Sequence, residues 1–226
     1  MRKQVIDFDI QVIMNTTNHE LEEYLRNNTT PVDGVLEELT RHTYLTTYNP
    51  RMISGHIQGK FIEMLCHMIN PNRVLEIGTF TGYSTICMAQ ALPDGKFIDT
   101  IEVNDELQDT IEYYLAKANV SHKVNLTIGN ALEVIPNFTF TYDMIYIDGE
   151  KKEYPQYLTL CIEKLNIGGY IIADNVLWNG KVIDPLCNDE QTAAIRQFNK
   201  MVQNNNQLEN VLLPIRDGMM IVRKKY

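Results

Sequence analysis

The stretch Arg73-Val74-Leu75-Glu76-Ile77-Gly78-Thr79-Phe80-Thr81-Gly82-Tyr83-Ser84-Thr85 constrains this chain more than any other. Val74 to Ile77 reads as a short β-strand, Gly78 and Gly82 as a loop, and Ile86-Cys87-Met88-Ala89 as part of the helix that follows. Strand, glycine turn and helix open an α/β unit of the nucleotide-binding kind. Its glycines admit a ligand close to the backbone, and its helix N-terminus offers free N–H groups. The spacing here is E-x-G-x-x-x-G, not the G-x-G-x-x-G that surrounds a pyrophosphate.

The rest of the chain falls into place around that unit. Residues 1–70 read as helical. His19 to Leu25 opens a short helix, and Thr30 caps a second with Pro31 at its first position and Asp33 at its third. Val35, Leu36, Leu39 and Thr43 then follow at helical spacing, and Asn49-Pro50 breaks the run. Ser54 caps a third helix, in which Ile57, Phe61, Leu65 and Met68 share one face.

From residue 73 strands alternate with helices. Strands are expected at 73–77, 96–102, 123–128, 142–147 and 170–173. Between them come helices at 83–91 and 105–118, a helical turn at 131–135 and a helix at 153–165 that Gly168-Gly169 terminates. Such alternation implies right-handed crossovers and a parallel sheet covered on both faces. After a helix at 190–204, two apolar runs flank Arg216-Asp217-Gly218, the signal of a hairpin, so an antiparallel edge should close the sheet. A single domain is expected over 1–226, with 1–70 a helical extension of the 71–226 core.

Composition narrows the function classes. The formal charge of −9 weighs against a broad nucleic-acid-binding surface. Five histidines and four cysteines are scattered without the pairings of zinc sites, and Cys87 and Cys161 read as buried thiols. Residues 1–15 lack the apolar region of a signal peptide, and no stretch reaches the ~20 apolar residues of a membrane span. A cytoplasmic protein is the simplest expectation.

Ligands of parallel sheets sit outside the carboxyl ends of the strands, and every such end here is polar. They carry Gly78, then Glu102, Gly129-Asn130-Ala131, Asp148-Gly149-Glu150-Lys151 and Asp174-Asn175. Glu102 follows Gly78 by 24 residues, about where an acid that takes ribose hydroxyls belongs. Glu76, an acid beside the glycine turn, suits a ligand with an ammonium group, and S-adenosylmethionine meets that description. Two readings fit Asp148 with Asp174 and Asn175. Asp174 and Asn175 merely cap the loop, or two carboxylates and an amide oxygen converge on a hard divalent cation that relieves their repulsion.

Together, Val74 to Ser84, Tyr146-Ile147-Asp148-Gly149-Glu150-Lys151 and Ala173-Asp174-Asn175-Val176-Leu177-Trp178-Asn179-Gly180 form a specific set. From about residue 30 onwards the chain resembles the cation-dependent, S-adenosylmethionine-dependent O-methyltransferases. Catechol and caffeoyl-CoA O-methyltransferases belong to that family, and the Trp-Asn-Gly loop resembles its bacterial branch. The resemblance implies a Rossmann-like class I methyltransferase fold with a mostly parallel seven-stranded sheet. It implies a methyl-donor site of Ser54, Glu76, Gly78, Thr79, Gly82, Ser84, Glu102, Asn130, Ala131 and Asp148. It further implies Asp148, Asp174 and Asn175 as ligands of Mg²⁺ or of Ca²⁺ or Mn²⁺, and Lys151 as general base. Asn130 stands where many methyltransferases carry an acid. Met52 and Trp178 are candidate contacts of a phenolic acceptor, Trp178 either stacking on it or covering the site. A homodimer is expected on the same ground.

Two other readings remain open from sequence. The same scaffold could methylate 5-hydroxyuridine in tRNA, which the acidic charge disfavours without excluding. A nicotinamide-dependent oxidoreductase would also use an acid at 102, but would want the third glycine.

Overall fold

β1 (Arg73–Ile77) lies at the centre of the sheet, and Val74 to Ile77 are all buried for that reason. In the computed structural model, which describes residues 19–226, β1 pairs in parallel with β2 (Phe97–Glu102) and β4 (Tyr142–Ile147). β3 (Val124–Ile128) extends the sheet beyond β2, and β5 (Leu165–Asp174) extends it beyond β4, both in parallel. β7 (Met219–Lys224) runs antiparallel between β5 and β6 (Leu208–Leu213), giving the order β3-β2-β1-β4-β5-β7-β6. The direction of winding reverses between β1 and β4, so a crevice opens there at the carboxyl ends.

Eight α-helices are described: α1 (His19–Asn27), α2 (Gly34–Thr46), α3 (Gly55–Ile69), α4 (Tyr83–Ala91), α5 (Gln108–Lys117), α6 (Ala131–Val134), α7 (Tyr154–Lys164) and α8 (Glu190–Gln203). Successive β1 side chains point to opposite faces. Val74 packs with Leu39 of α2, Ile62 of α3, Ile86 of α4 and Ile111 of α5, whereas Leu75 and Ile77 pack with Leu158 of α7 and Phe198 of α8. Three of the four cysteines, Cys66, Cys87 and Cys161, are buried free thiols. No described helix is long and apolar enough to cross a membrane, and the expectation for residues 1–15 falls outside the described residues.

Local details differ from the sequence expectations in instructive ways. Asp33, not Thr30, caps α2, accepting the Leu36 N–H at 2.9 Å, which leaves Pro31 ahead of the helix. Ser54 precedes α3 but makes no side-chain cap. The buried face of α3 is Gln58, Gly59, Ile62, Leu65 and Cys66, while Met68 is 68% exposed. Gly59 lets this face lie tight against α4: a Cβ there would meet the Tyr83 ring at 2.6 Å and Cys87 Sγ at 2.8 Å. Gly168-Gly169 does not end α7, which stops at Lys164, but lies inside β5 at a shift in its register with β4. A Cβ at Gly169 would stand 3.0 Å from the Asp143 carbonyl, so the glycine lets the irregular strands stay together.

Candidate active site

A cavity of about 820 Å³ occupies the crevice at the carboxyl ends of β1, β2, β4 and β5. The segment before α3 closes one side with Met52 and Ser54, and the loop after β5 closes another with Asn175 and Trp178. Gly78, Thr79, Ser84, Glu102, Asn130 and Ala131 line the half nearer β1 and β2. Asp148, Lys151 and Asp174 line the other half. Two residues expected at the site, Glu76 and Gly82, are not on its wall.

Glu76 lies beneath that wall and has no exposed surface. Its carboxyl group accepts hydrogen bonds from Ser84 Oγ at 2.5 Å, Thr85 Oγ1 at 2.5 Å and Thr100 Oγ1 at 2.6 Å. Such a set is what a buried carboxyl group requires, since each unpaired oxygen would forfeit its hydration. Burial still pushes the group up to about 7 against the pull of the three hydroxyls. Ser84 is itself on the cavity wall, so Glu76 reaches the cavity through that hydroxyl. Gly82 takes φ +92 at the start of α4 and shapes the turn instead.

Glu102 is held rigidly from below. Its two oxygens accept the Phe80 N–H at 2.7 Å and the Asn104 N–H at 2.9 Å, and each oxygen keeps a further lone pair for a ligand. Asn130 caps α6, accepting the Leu132 N–H at 2.8 Å on Oδ1, which leaves its NH₂ group as the part able to donate.

The second half of the cavity is acidic. Ile147 pairs with Ala173, so the next residues, Asp148 and Asp174, stand at neighbouring strand ends. Tyr154 draws those ends together, its hydroxyl donating to the Asp174 carbonyl at 2.9 Å and lying 3.3 Å from that of Ile147. Lys151 Nζ donates to Asp148 Oδ1 at 2.8 Å and to the Gly149 carbonyl at 3.1 Å. Burial pushes the Asp148 carboxyl up to about 6, Lys151 opposing the shift and Asp174 adding to it. Asp174 Oδ1 accepts the N–H of Asn175, which sits in the left-handed region at φ +59. Two mutually repelling carboxylates beside an amide form an oxygen donor set, which fits Mg²⁺, Ca²⁺ or Mn²⁺. Among the described residues no group of three or more His, Cys, Asp or Glu side chains could hold a metal ion, so an oxygen set here depends on the amide as well as on the two carboxylates.

Sequence reasoning missed the residues that hold this half in place. Gln58, 1% exposed, donates to Asp174 Oδ2 at 2.5 Å and to the Tyr146 hydroxyl at 3.0 Å. Arg216, read only as part of a hairpin turn, lines the cavity at φ +48 and donates to Gln58 Oε1 at 2.5 Å. Asp217 accepts from the backbone N–H of Asn179, and its carbonyl accepts that of Leu177 at 2.9 Å. The hairpin turn thereby clamps the loop that carries Trp178. Arg196 pins the loop's far end, donating to the carbonyls of Lys181, Val182, Asp184 and Cys187. Trp178 Nε1 is buried with no hydrogen-bond partner, a free donor on a residue of the cavity wall. A polar residue inside an otherwise apolar helix stripe was the one signal available for Gln58.

A family model described as O-methyltransferase matches residues 27–225. A probable caffeoyl-CoA O-methyltransferase 2 of Dictyostelium discoideum is 30% identical over 213 residues, covering 92% of each chain. Caffeoyl-CoA O-methyltransferase 1 of Nicotiana tabacum is 33% identical over 190 residues, 76% of this chain and 77% of the relative. Among solved structures, the O-methyltransferase from Bacillus cereus in complex with SAH is similar with a TM-score of 0.85 and 28% identity, over 91% of this chain and 97% of that one. TomG from Streptomyces achromogenes in complex with SAM, involved in tomaymycin synthesis, gives 0.83 and 26%, over 92% and 96%.

Proposed function

The chain belongs to the O-methyltransferase family, and from that premise we propose that it transfers the methyl group of S-adenosylmethionine to a hydroxyl of a catechol-like or caffeoyl-type small molecule, with a divalent cation bound beside the acceptor. The observation that carries this reading is the shared cavity: Asp148, Lys151, Asp174 and Asn175 face the same space as Ser84 and Glu102.

S-Adenosylmethionine brings a reactive sulfonium of its own, so the protein has to supply a nucleophile and a geometry. Glu102, with both oxygens steadied by backbone N–H groups, takes the ribose hydroxyls. The Asn130 NH₂ group and Ala131 lie beside the adenine. Ser54, Gly78, Thr79, Ser84 and Asp148 surround the methionine part, and Glu76 orients the Ser84 hydroxyl from below.

Asp148, Asp174 and the Asn175 side chain would hold the cation. When bound, it supplies positive charge that favours ionisation of a phenolic hydroxyl, whose ordinary pKa is about 10. Lys151, steadied by Asp148 and the Gly149 carbonyl, takes the acceptor's proton in its unprotonated state. The acceptor oxygen then forms its bond to the methyl carbon as the carbon–sulfur bond breaks, leaving a methyl ether and S-adenosylhomocysteine. Holding oxygen, carbon and sulfur in line is worth about 7–11 kcal/mol of the barrier, judged by effective molarities. Met52 and Trp178 flank the acceptor at the cavity mouth.

The test is a methyl-transfer screen with Mg²⁺, Mn²⁺ or Ca²⁺, and with chelator, against catechols, caffeoyl thioesters and tRNA, the product being identified by mass. Methylation of a vicinal diol lost on chelation supports the reading. Methylated tRNA with no small-molecule product overturns its acceptor class. Sedimentation checks the homodimer that the reading carries with it.

A further inference from the structure

Gln58 is the most deeply buried side-chain amide at the cavity's acidic half, and all its polar atoms are engaged. Its Nε2 has two protons, and two acceptors lie within reach: Asp174 Oδ2 at 2.5 Å and the Tyr146 hydroxyl at 3.0 Å. Its Oε1 faces Arg216, which donates at 2.5 Å. A guanidinium has donors only, so it settles which end of the amide is oxygen. With Arg216 on one side, the N–H groups of Gln58 must face Asp174 and Tyr146.

Arg216 is committed to this position at a cost. It occupies φ +48, where a residue with a Cβ is disfavoured, and the same terminal nitrogen that reaches Gln58 also donates to the Ser54 carbonyl. One guanidinium thus joins the lead-in to α3, the Gln58 amide and the β6–β7 turn. Asp174 receives the result. Oδ2 is held by Gln58 and Oδ1 by the Asn175 N–H, so the carboxylate cannot rotate without breaking a hydrogen bond on one oxygen.

We propose that Gln58 and Arg216 are positioning residues for Asp174: Arg216 sets the polarity of the Gln58 amide, and Gln58 holds the Asp174 carboxylate in the orientation that receives the cation. This rests on the reading of Asp148, Asp174 and Asn175 as cation ligands. Partners that orient a ligand from behind govern affinity strongly, with typical losses of 10–100-fold on removal. The amide also places no positive charge of its own against Asp174, as a lysine or arginine at position 58 would.

The experiment is calorimetric titration of the purified protein with Mn²⁺ alone, without methyl donor or acceptor, alongside circular-dichroism melts. Gln58→Met fills the same space without an amide. Gln58→Glu keeps an acceptor for Arg216 but has nothing to donate to Asp174. Arg216→Gly removes the guanidinium while relieving the backbone at φ +48, which guards against a variant that fails to fold. We expect Gln58→Met and Gln58→Glu to weaken Mn²⁺ binding about 10-fold or more with folded melts, and Arg216→Gly to weaken it by a smaller factor, about 3- to 10-fold. A space-filling role for Gln58 would instead leave affinity unchanged in Gln58→Met. Unchanged affinity in all three variants, with Asp174→Ala abolishing binding, overturns the proposal and keeps the cation reading. Wild-type protein that takes up no Mn²⁺ overturns both.

Discussion

Gly78 and Asp148 meet backbone to backbone: a Cβ on Gly78 would stand 2.5 Å from the Asp148 carbonyl oxygen and 2.8 Å from its carbon. Gly78 also holds φ +95, so two independent constraints exclude a side chain there. The glycine of the sequence signature therefore joins the half of the cavity nearer β1 and β2 to its acidic half.

Gly78→Ala should accordingly disturb both halves at once. A left-handed backbone disfavours alanine by about 1–2 kcal/mol before the clash is counted. The melting temperature should fall by several degrees, at roughly 2–4 °C per kcal/mol for a chain of this size, and calorimetric affinity for S-adenosylmethionine should drop. Wild-type values for both would show that β1 and β4 can part at no cost.

Asp174→Ala should abolish cation-dependent methyl transfer while leaving S-adenosylmethionine affinity largely intact, because Asp174 belongs to the acidic half and Glu102 to the other. Full turnover of this variant, or of the wild type in excess chelator, would sink the cation assignment. Rates and calorimetry on the same preparation decide it.

Lys151→Ala should lower kcat by about 10²–10⁴, the usual worth of a positioned general base. Its effect on Mn²⁺ affinity should be much smaller, since Lys151 contacts Asp148 but offers no oxygen to a cation. A kcat equal to wild type, with chemistry shown to limit the rate, would remove Lys151 from the mechanism.

Glu76 makes a prediction about stability and pH. Its folded-state carboxyl is raised from 4.5 to about 7, chiefly by burial. Between those values the folded protein keeps a proton that the unfolded chain has released, so this group's contribution to stability falls as pH rises through the window. Glu76→Gln cannot ionise, and the Ser84, Thr85 and Thr100 hydroxyls can turn to receive an amide. The difference in unfolding free energy between variant and wild type should shift in the variant's favour from pH 4.5 to 7, by an amount on the order of 3 kcal/mol. Parallel denaturant titrations across that range measure it, and a difference independent of pH would rule the account out.

Much of the architecture was legible in the chain itself. Five strands alternate with helices where the apolar runs and turn residues place them, and Asp217-Gly218 does sit in the turn of an antiparallel hairpin. Two of the differences share one cause. The α3 stripe read as Ile57, Phe61, Leu65 and Met68 is rotated by about one residue, because 3.6-residue periodicity cannot choose between adjacent stripes when both are largely apolar. The buried stripe is the one with Gly59, whose missing side chain lets it lie tight against α4, and that is a fact about α4. Likewise Glu76 reads as facing a ligand, since a strand pattern shows which side a residue takes but not how many layers cover it.

What the sequence determined by itself is the order of elements and the presence of polar residues at the carboxyl ends of the strands, because both follow from local periodicity and turn chemistry. What only the tertiary structure decided is which of those residues touch. Gln58 and Asp174 lie 116 residues apart, and Arg216 reaches Ser54 across 162. Contacts of that range depend on sheet order and helix rotation, which are set by packing the whole chain at once.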